Sequence, residues 1–265
     1  MSLENRADLL TVYTCISGQK YDILHKQPFF SGIQYVGVVD AAKTRPNGWH
    51  IIEPCMETDT LSHAARNRFY KMMKYDDLGS AFNADYSLYI DGNVRLLSDP
   101  LQVVGYMQSK SLDLALFRHP VRTTVVSEMR ECMRVGLLSD QQVHASKDFY
   151  EMAVERGFRD DLGLGANYVL FRRNGCKVLK RLMSDWWASY QAGVTRDQLS
   201  LMPLLQSSEV KWAFIDQAYD FDRMFHRVPH GAYSNLLPLR LQAVSKKFAL
   251  KTKMTAKKLS GAFWN

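Results

Sequence analysis

The stretch Tyr86-Ser87-Leu88-Tyr89-Ile90-Asp91-Gly92-Asn93 decides the fold class. A run of β-formers stops at a carboxylate, a glycine and an amide, which reads as a buried strand entering a tight turn. The same design recurs on both sides of it. Residues 9–16 form a β-rich run that meets Ser17-Gly18, residues 33–39 close on Asp40, and residues 49–52 make a short third strand. Downstream, residues 112–117 end at Arg118-His119-Pro120, and residues 168–171 follow a glycine-bearing loop, Gly163-Leu164-Gly165-Ala166-Asn167.

Between these runs the apolar period changes from two to that of a helix. In residues 60–74, Leu61, Ala64, Ala65, Phe69 and Met72 fit one helical face, with Arg66, Arg68 and Lys71 among them. Further helices are predicted after Pro100 and over 124–135, 139–155, 178–190 and 198–205, and residues 212–233 read as irregular. Strands alternating with helices imply an α/β domain with a mostly parallel central sheet flanked by helices. In such sheets ligands bind at the carboxyl ends of the strands. Here those ends carry Gly18, Asp40, Asp91, His119 and Asn167.

Composition narrows the function classes. With 46% apolar and 23% charged residues the chain has the balance of a globular domain, not of a disordered one. Cys15, Cys55, Cys132 and Cys176 are widely spaced with no Cys-x-x-Cys pair, so reduced thiols are expected rather than a zinc site or a disulfide framework. The start of the chain lacks the apolar stretch of a secretory signal, and no run of about 18 apolar residues is present. A cytoplasmic protein is the simplest expectation.

The net charge of +7 is unevenly placed. Residues 236–265 hold Arg240, Lys246, Lys247, Lys251, Lys253, Lys257 and Lys258 and no acid, which accounts for all of it. A domain over 1–235 and a basic tail over 236–265 follow. The domain itself is neutral, which argues against nucleic acid as a partner. Leu237, Leu241, Val244, Phe248, Leu259, Phe263 and Trp264 among the lysines suit a basic amphipathic helix on an anionic membrane surface, a helix packed on the domain, or a connection to a further domain.

Asp91 followed by Gly92-Asn93 is either a plain turn or a set of oxygen ligands for a hard cation that also holds substrate phosphates. The rest of the chain bears on that choice. Arg66-Asn-Arg-Phe-Tyr-Lys71, the Tyr86–Asn93 stretch, Asp99-Pro100, His119-Pro-Val-Arg122, Glu128 and Thr195-Arg-Asp-Gln-Leu-Ser200 stand in order. Over 65–200 they resemble the family of the plant mucilage glycosyltransferases. That family also holds plant proteins described as alkaline ceramidases and many bacterial homologues. Tyr13-Thr14, Gly18, Tyr21-Asp22 and the strand ending at Asp40 extend the resemblance toward the start.

The resemblance implies a GT-A-like fold, a nucleotide-sugar donor (UDP- or GDP-linked), a divalent metal (Mn²⁺ or Mg²⁺), and a glycan or glycolipid acceptor. Asp91 and Asn93 then occupy the metal turn, with an uncharged amide where a second carboxylate is usual. His230, or secondarily His226, is the candidate to complete it. Tyr13, Thr14, Gly18 and Asp40 fall on the nucleotide side, with core packing for Tyr13 and helix capping for Asp40 as the alternatives. Arg66 and Lys71 are the cations expected to reach the donor, and Arg68 a solvated charge. Gly165 and Asn167 belong to a loop near the sugar. Asp197 and Gln198 resemble a pair beside the donor sugar in some retaining enzymes, while Asp197 also suits a helix N-cap. His119 is placed to orient or deprotonate an acceptor hydroxyl, and Arg122 with Glu128 to form an ion pair.

Two other classes remain open. An amide-lipid hydrolase fits the ceramidase description, but the seven histidines show no ligand spacing on one regular segment and no Gly-x-Ser-x-Gly elbow occurs. A non-catalytic nucleotide-sugar binder is compatible with Asn93.

Overall fold

The computed structural model describes residues 10–18, 24–40 and 46–229. His230, Tyr21-Asp22 and the basic tail 236–265 lie outside the described residues.

The apolar runs become a seven-stranded sheet in the order β3-β2-β1-β4-β7-β6-β8. Its strands are β1 (Leu10–Ile16), β2 (Ile33–Val39), β3 (His50–Ile52), β4 (Tyr86–Ile90), β6 (Leu114–Arg118), β7 (Gly165–Arg173) and β8 (Trp212–Phe214). Every residue of β1 and β4 is buried, as expected of strands covered on both faces. The pairings β1–β2, β1–β4, β2–β3 and β6–β8 are parallel, and β7 alone runs against its neighbours β4 and β6. The expected mostly parallel α/β sheet is therefore present.

Alternation along the strands divides the core in two. Tyr13, Cys15, Tyr89, Leu116 and Leu170 face one layer, built from α1 (His63–Met73), α4 (Val125–Arg134), α6 (Lys177–Gln191) and α7 (Gln198–Gln206). Leu10, Val12, Leu88, Phe117 and Phe171 face the other, where α3 (Leu101–Lys110) packs through Val103, Val104 and Met107. The α1 helix begins at His63 and not at Thr60, because the Ser62 hydroxyl accepts the N–H of Ala65 and caps it. Thr124 with Ser127 and Ser139 with Gln142 form capping boxes that start α4 and α5 (Asp140–Glu155). Trp186 and Trp187 are buried in the core.

Two expectations are corrected. Gly165 and Asn167 are not in a loop: they open β7, where Asn167 is one residue from Tyr168, whose carbonyl accepts the N–H of Asp91. Residues 212–233 are not wholly irregular either. They supply β8, the single turn α8 (Phe221–Met224) and β9 (Phe225–Arg227), and β9 pairs with β5 (Val94–Leu96) just after the Asp91 turn. Three-residue strands are too short for a readable period, and β5 and β9 exist only through each other. The short helix α2 (Tyr75–Ala81) was also unforeseen.

Because β7 is reversed, its first residues lie at the edge where β1, β4 and β6 end. Asn167 reaches the carboxyl edge of the sheet from the beginning of a strand, not from its end.

Candidate active site

A cleft of about 370 Å³ opens at this edge. Its walls include Ser17, the Asp91-Gly92-Asn93 turn, Asn167-Tyr168, His119 and Arg122, the segment Arg196-Asp197-Gln198, and Arg227 at the end of β9. The α1 helix contributes Ala64, Asn67, Arg68 and Lys71, a stripe at the helical spacing i, i+3, i+4, i+7. Gly92 has no side chain to collide with Ile16, whose Cγ1 stands 3.0 Å from where a Cβ would be.

The deepest feature is an ion pair. Lys71 and Asp197 are both buried, with Nζ 2.5 Å from Oδ2. Lys71 Nζ also lies 3.9 Å from Asp91 Oδ1, and Arg68 Nη2 lies 3.8 Å from Asp197 Oδ1. Burial alone would raise the pKa of Asp197. Arg68, Lys71 and Arg196 outweigh it and hold the carboxyl well below the usual carboxylate range. For Lys71 burial wins and its pKa falls, although Asp197 and Asp91 oppose the shift. Asp197 precedes α7 but makes no side-chain capping bond. Its carboxylate is spent on Lys71 instead.

Asp91 sits half-exposed on the cleft wall, with the Tyr89 hydroxyl donating to Oδ1 at 3.0 Å. Asn67 holds that tyrosine from the other side, at 3.2 Å, and donates to the Cys15 carbonyl at 2.7 Å. Asn93 is buried. Its Nδ2 donates to the Val228 carbonyl at 2.9 Å, and the Val228 N–H returns a bond to the Asn93 carbonyl at 2.7 Å. The chain beyond β9 is thus tied to the Asp91 turn two residues before His230.

The side chain of Asn167 is buried, and neither amide atom has a hydrogen-bond partner in the described structure. Such a group costs about 1–3 kcal/mol until something satisfies it. Gly165 makes room for it: a Cβ there would stand 2.6 Å from Asn167 Oδ1. Gly165 therefore supports the cleft from behind.

His119 is on the wall, but both ring nitrogens face donors. Nδ1 lies 2.9 Å from the N–H of Arg122 and 3.2 Å from that of Val121, and Nε2 lies 3.0 Å from Arg122 Nη2. Burial, then Arg122, lowers its pKa, so the ring stays neutral. A neutral imidazole crowded by N–H groups has no lone pair turned to an acceptor hydroxyl. The structure favours the orienting role of His119 over the basic one. Arg122 pairs with Glu128 as expected, and Glu128 also receives Arg196 at 3.1 Å.

Several anticipated nucleotide contacts face elsewhere. Tyr13 is fully buried, bonded to Arg172 and to the carbonyls of Tyr70 and Lys71, and burial pushes its hydroxyl up to about 12. It is a core residue and stacks on nothing in the cleft. Thr14 is buried behind Gly92. Asp40 accepts the N–H of Gly18 at 2.7 Å, the Ser17 hydroxyl at 3.2 Å and Arg66 at 2.9 Å. Arg66 also donates twice to the Thr58 carbonyl. Gly18, Asp40 and Arg66 form a corner beside the cleft and outside its lining, joined to it through Ser17 and His63. Arg66 and Arg68 have exchanged their expected places. The helical period carries the signal: Arg68 is three residues from Lys71 and shares its face, whereas Arg66 is five away. Arg196 and Arg227 were not foreseen, and only the adjacency of Arg196 to Asp197 marks it in the sequence. His226 lies in β9 opposite Arg95 and outside the cleft lining.

Comparisons with known proteins complete the description. The family described as TOD1/MUCI70, glycosyltransferase-like domain matches residues 65–207. No curated protein matches the chain. Among solved structures, core-mannan synthase A from Aspergillus fumigatus in its Mn/GDP form is similar at 9% identity and TM-score 0.47, covering 86% of this chain and 77% of that one. Mouse xyloside xylosyltransferase 1, in its apo form, is similar at 10% identity and TM-score 0.45, covering 79% of this chain and 85% of that one.

Proposed function

From the premise that the chain belongs to the TOD1/MUCI70 glycosyltransferase-like family, we propose that it transfers a sugar from a UDP- or GDP-linked donor to a glycan or lipid-linked acceptor, with retention at the anomeric carbon. The observation that carries this reading is the buried Lys71, held between Asp197 and Asp91 at the floor of the cleft. Five cationic residues line that cleft (Arg68, Lys71, Arg122, Arg196 and Arg227) against two carboxylates. Adding Glu128, which pairs with Arg122 and Arg196, still leaves positive charge in excess. A nucleoside diphosphate leaving group gains negative charge as the sugar departs, and fixed cations in a desolvated cleft stabilise it.

The metal turn bears the test of the donor set. Among the described residues no three His, Cys, Asp or Glu side chains converge as metal ligands. A hard cation that completes its shell with diphosphate oxygens and water needs only one or two carboxylates, and Asp91 with the Asn93 amide suits that case. Tyr89 and Lys71 both approach Asp91 at Oδ1. His230 follows the Val228–Asn93 tie closely in sequence and is the candidate further ligand. Bound Mn²⁺ or Mg²⁺ would hold the diphosphate and offset its charge.

The protein's own groups do the rest. Lys71 and Arg68 keep Asp197 ionised, so that its negative field faces the oxocarbenium-like centre. Gln198 stands beside it on the wall, and Asn167 offers the sugar a buried amide. The Asp197–Gln198 pair supports retention. No observation favours the amide-hydrolase reading.

Thermal stabilisation by UDP and by GDP, with Mn²⁺ and with chelator, tests the reading. Metal-dependent stabilisation by one of them is expected, and a response to neither removes the proposal. Asp91→Ala should abolish turnover with the fold intact; retained turnover would remove the metal role. NMR of the product anomer decides retention. For the tail we propose a peripheral hold on a cytoplasmic anionic membrane surface, resting on its lysines and apolar residues. Equal pelleting with liposomes with and without 236–265 would sink it. No helix among the described residues is long and apolar enough to cross a membrane.

A further inference from the structure

We propose that Gln198 meets its ligand through its amide NH₂ and not through its carbonyl oxygen, and that Arg196 and the buried Glu128 are the positioning residues that impose this orientation. The inference deepens the proposed function and rests on that reading of the cleft.

The geometry begins at Glu128, whose side chain is fully buried. One carboxylate oxygen takes Arg122 Nε, and the other takes Arg196 Nη2 at 3.1 Å. Arg196 Nη2 also donates to Gln198 Oε1 at 3.0 Å. The two hydrogens of one guanidinium nitrogen are thus divided between Glu128 and Gln198. A guanidinium only donates, so the amide atom facing it must be the oxygen. The orientation of Gln198 follows from the chemistry of its partner.

The anchor is rigid. Glu128 lies in the first turn of α4, which the Thr124–Ser127 capping box starts. Asp160 accepts the N–H groups of Val125 and Val126 at 2.7 and 3.0 Å and fixes the same turn. Burial opposes ionisation of Glu128, but Arg196 and Arg122 hold its pKa below the usual range. A charged, immobile acceptor therefore keeps Arg196 in place, and Arg196 keeps the Gln198 oxygen.

Two consequences follow for the chemistry. The NH₂ group remains to meet the ligand, so it binds an acceptor: a sugar hydroxyl or ring oxygen, or a phosphate oxygen. The carbonyl oxygen, polarised toward a guanidinium, is a poor nucleophile and does not form a bond to the anomeric carbon.

The isosteric exchange Gln198→Glu separates the alternatives. A carboxylate keeps the bond to Arg196 but turns a bare oxygen to the ligand. Turnover of UDP- and GDP-sugars, read as nucleotide release by the full chain, should fall by about 100-fold in kcat/KM, as in Gln198→Ala. Turnover by Gln198→Glu at or above the unmodified level would overturn the proposal. Glu128→Gln should lower kcat by about tenfold with KM for the donor nearly unchanged, and should add nothing in a Gln198→Ala background. Independent, additive losses would overturn the positioning role. If Glu128→Gln does not fold, the resonance measurement that follows decides the positioning role, since Arg196 is itself a cation of the cleft wall. The side-chain ¹⁵NH₂ resonances of Gln198 in the ligand-free chain give a readout apart from activity: Arg196→Met should shift them, and unmoved resonances would overturn the assignment. If no UDP- or GDP-sugar is turned over, the transferase reading falls, while the resonances still decide the orientation.

Discussion

Two acid–base pairs stand at the same edge of the sheet and behave differently. Asp40 with Arg66 stands beside the cleft, partly exposed: the carboxylate accepts from Gly18, Ser17 and Arg66, and Arg66 is tied to Thr58 as well. Asp197 with Lys71 is more deeply buried, yet it forms part of the cleft wall beside Arg68 and Asp91. The first pair joins the ends of β1 and β2 to α1. The second concentrates charge where a ligand enters. A carboxylate near a basic residue at a strand end is therefore no site by itself. What matters is whether the pair stands on the wall of the cleft.

The largest effect that sharpens this contrast is Asp197→Ala. It leaves Lys71 as a buried cation without its closest counter-charge, and a loss of about 3–5 kcal/mol is expected in chemical denaturation. A loss below about 1 kcal/mol would mean that Lys71 sheds its proton or finds water at little cost. The double variant Asp197→Leu with Lys71→Met should recover much of the stability and none of the turnover.

Gly18→Ala attacks the other pair. Gly18 has φ +80°, and a Cβ would stand 2.7 Å from the His63 ring. A destabilisation of about 1–2 kcal/mol is expected from the left-handed backbone alone. Nucleotide affinity should change little once the protein is folded. A large loss of affinity would show that the Asp40 corner serves the ligand after all.

The arginine exchange is subtler. Arg68→Met should weaken binding of UDP or GDP by about tenfold, whereas Arg66→Met should change it by no more than about twofold. Isothermal titration checks both, and the reverse order would restore the sequence-based assignment.

The smallest effect comes from pH. Asp40, Glu128 and Asp197 all have folded-state pKa values below their ordinary ones. On acidification the unfolded chain binds these protons first. The stability they contribute is complete above about pH 5 and is lost progressively as pH falls through the depressed folded values. Thermal midpoints should be flat from about pH 7 to 5 in this respect and decline below about pH 4. Asp197→Asn should flatten the acid limb more than Asp40→Asn.

Much of the scaffold is legible in the sequence. Residues 33–39 and 86–90 are strands with the bounds that their β-rich runs suggest, and the helices read over 124–135 and 139–155 start at the caps Thr124 and Ser139. The short strands β5, β8 and β9 are not, because they are held by partners remote in the chain. For the cleft, Lys71, Asp91, Asn93, His119, Asn167, Asp197 and Gln198 are residues that the sequence marks and the fold gathers on one wall. Tyr13, Thr14, Gly18, Asp40, Arg66 and Gly165 are marked as well and lie outside its lining.

The sequence by itself determined the period of each element, the polar residue at the end of each strand, and a family membership carried by the ordered motifs from Arg66 to Ser200. Tertiary structure decided which way those residues look. Alternation along β1 sends Tyr13 into the core. The turn of α1 gives the cleft Arg68 in place of Arg66. The reversal of β7 carries Asn167 to an edge that a parallel strand would have reached only at its far end. Asp91 lies on the chain far from Asp197, and only the packing of α1 on α6 and β1, with α7 packed on α6, sets Lys71 between them. Periodicity is local and can be read along the chain. The direction from which a counter-charge arrives is set by packing, and packing here joins residues more than a hundred positions apart, as Lys71 and Asp197 are.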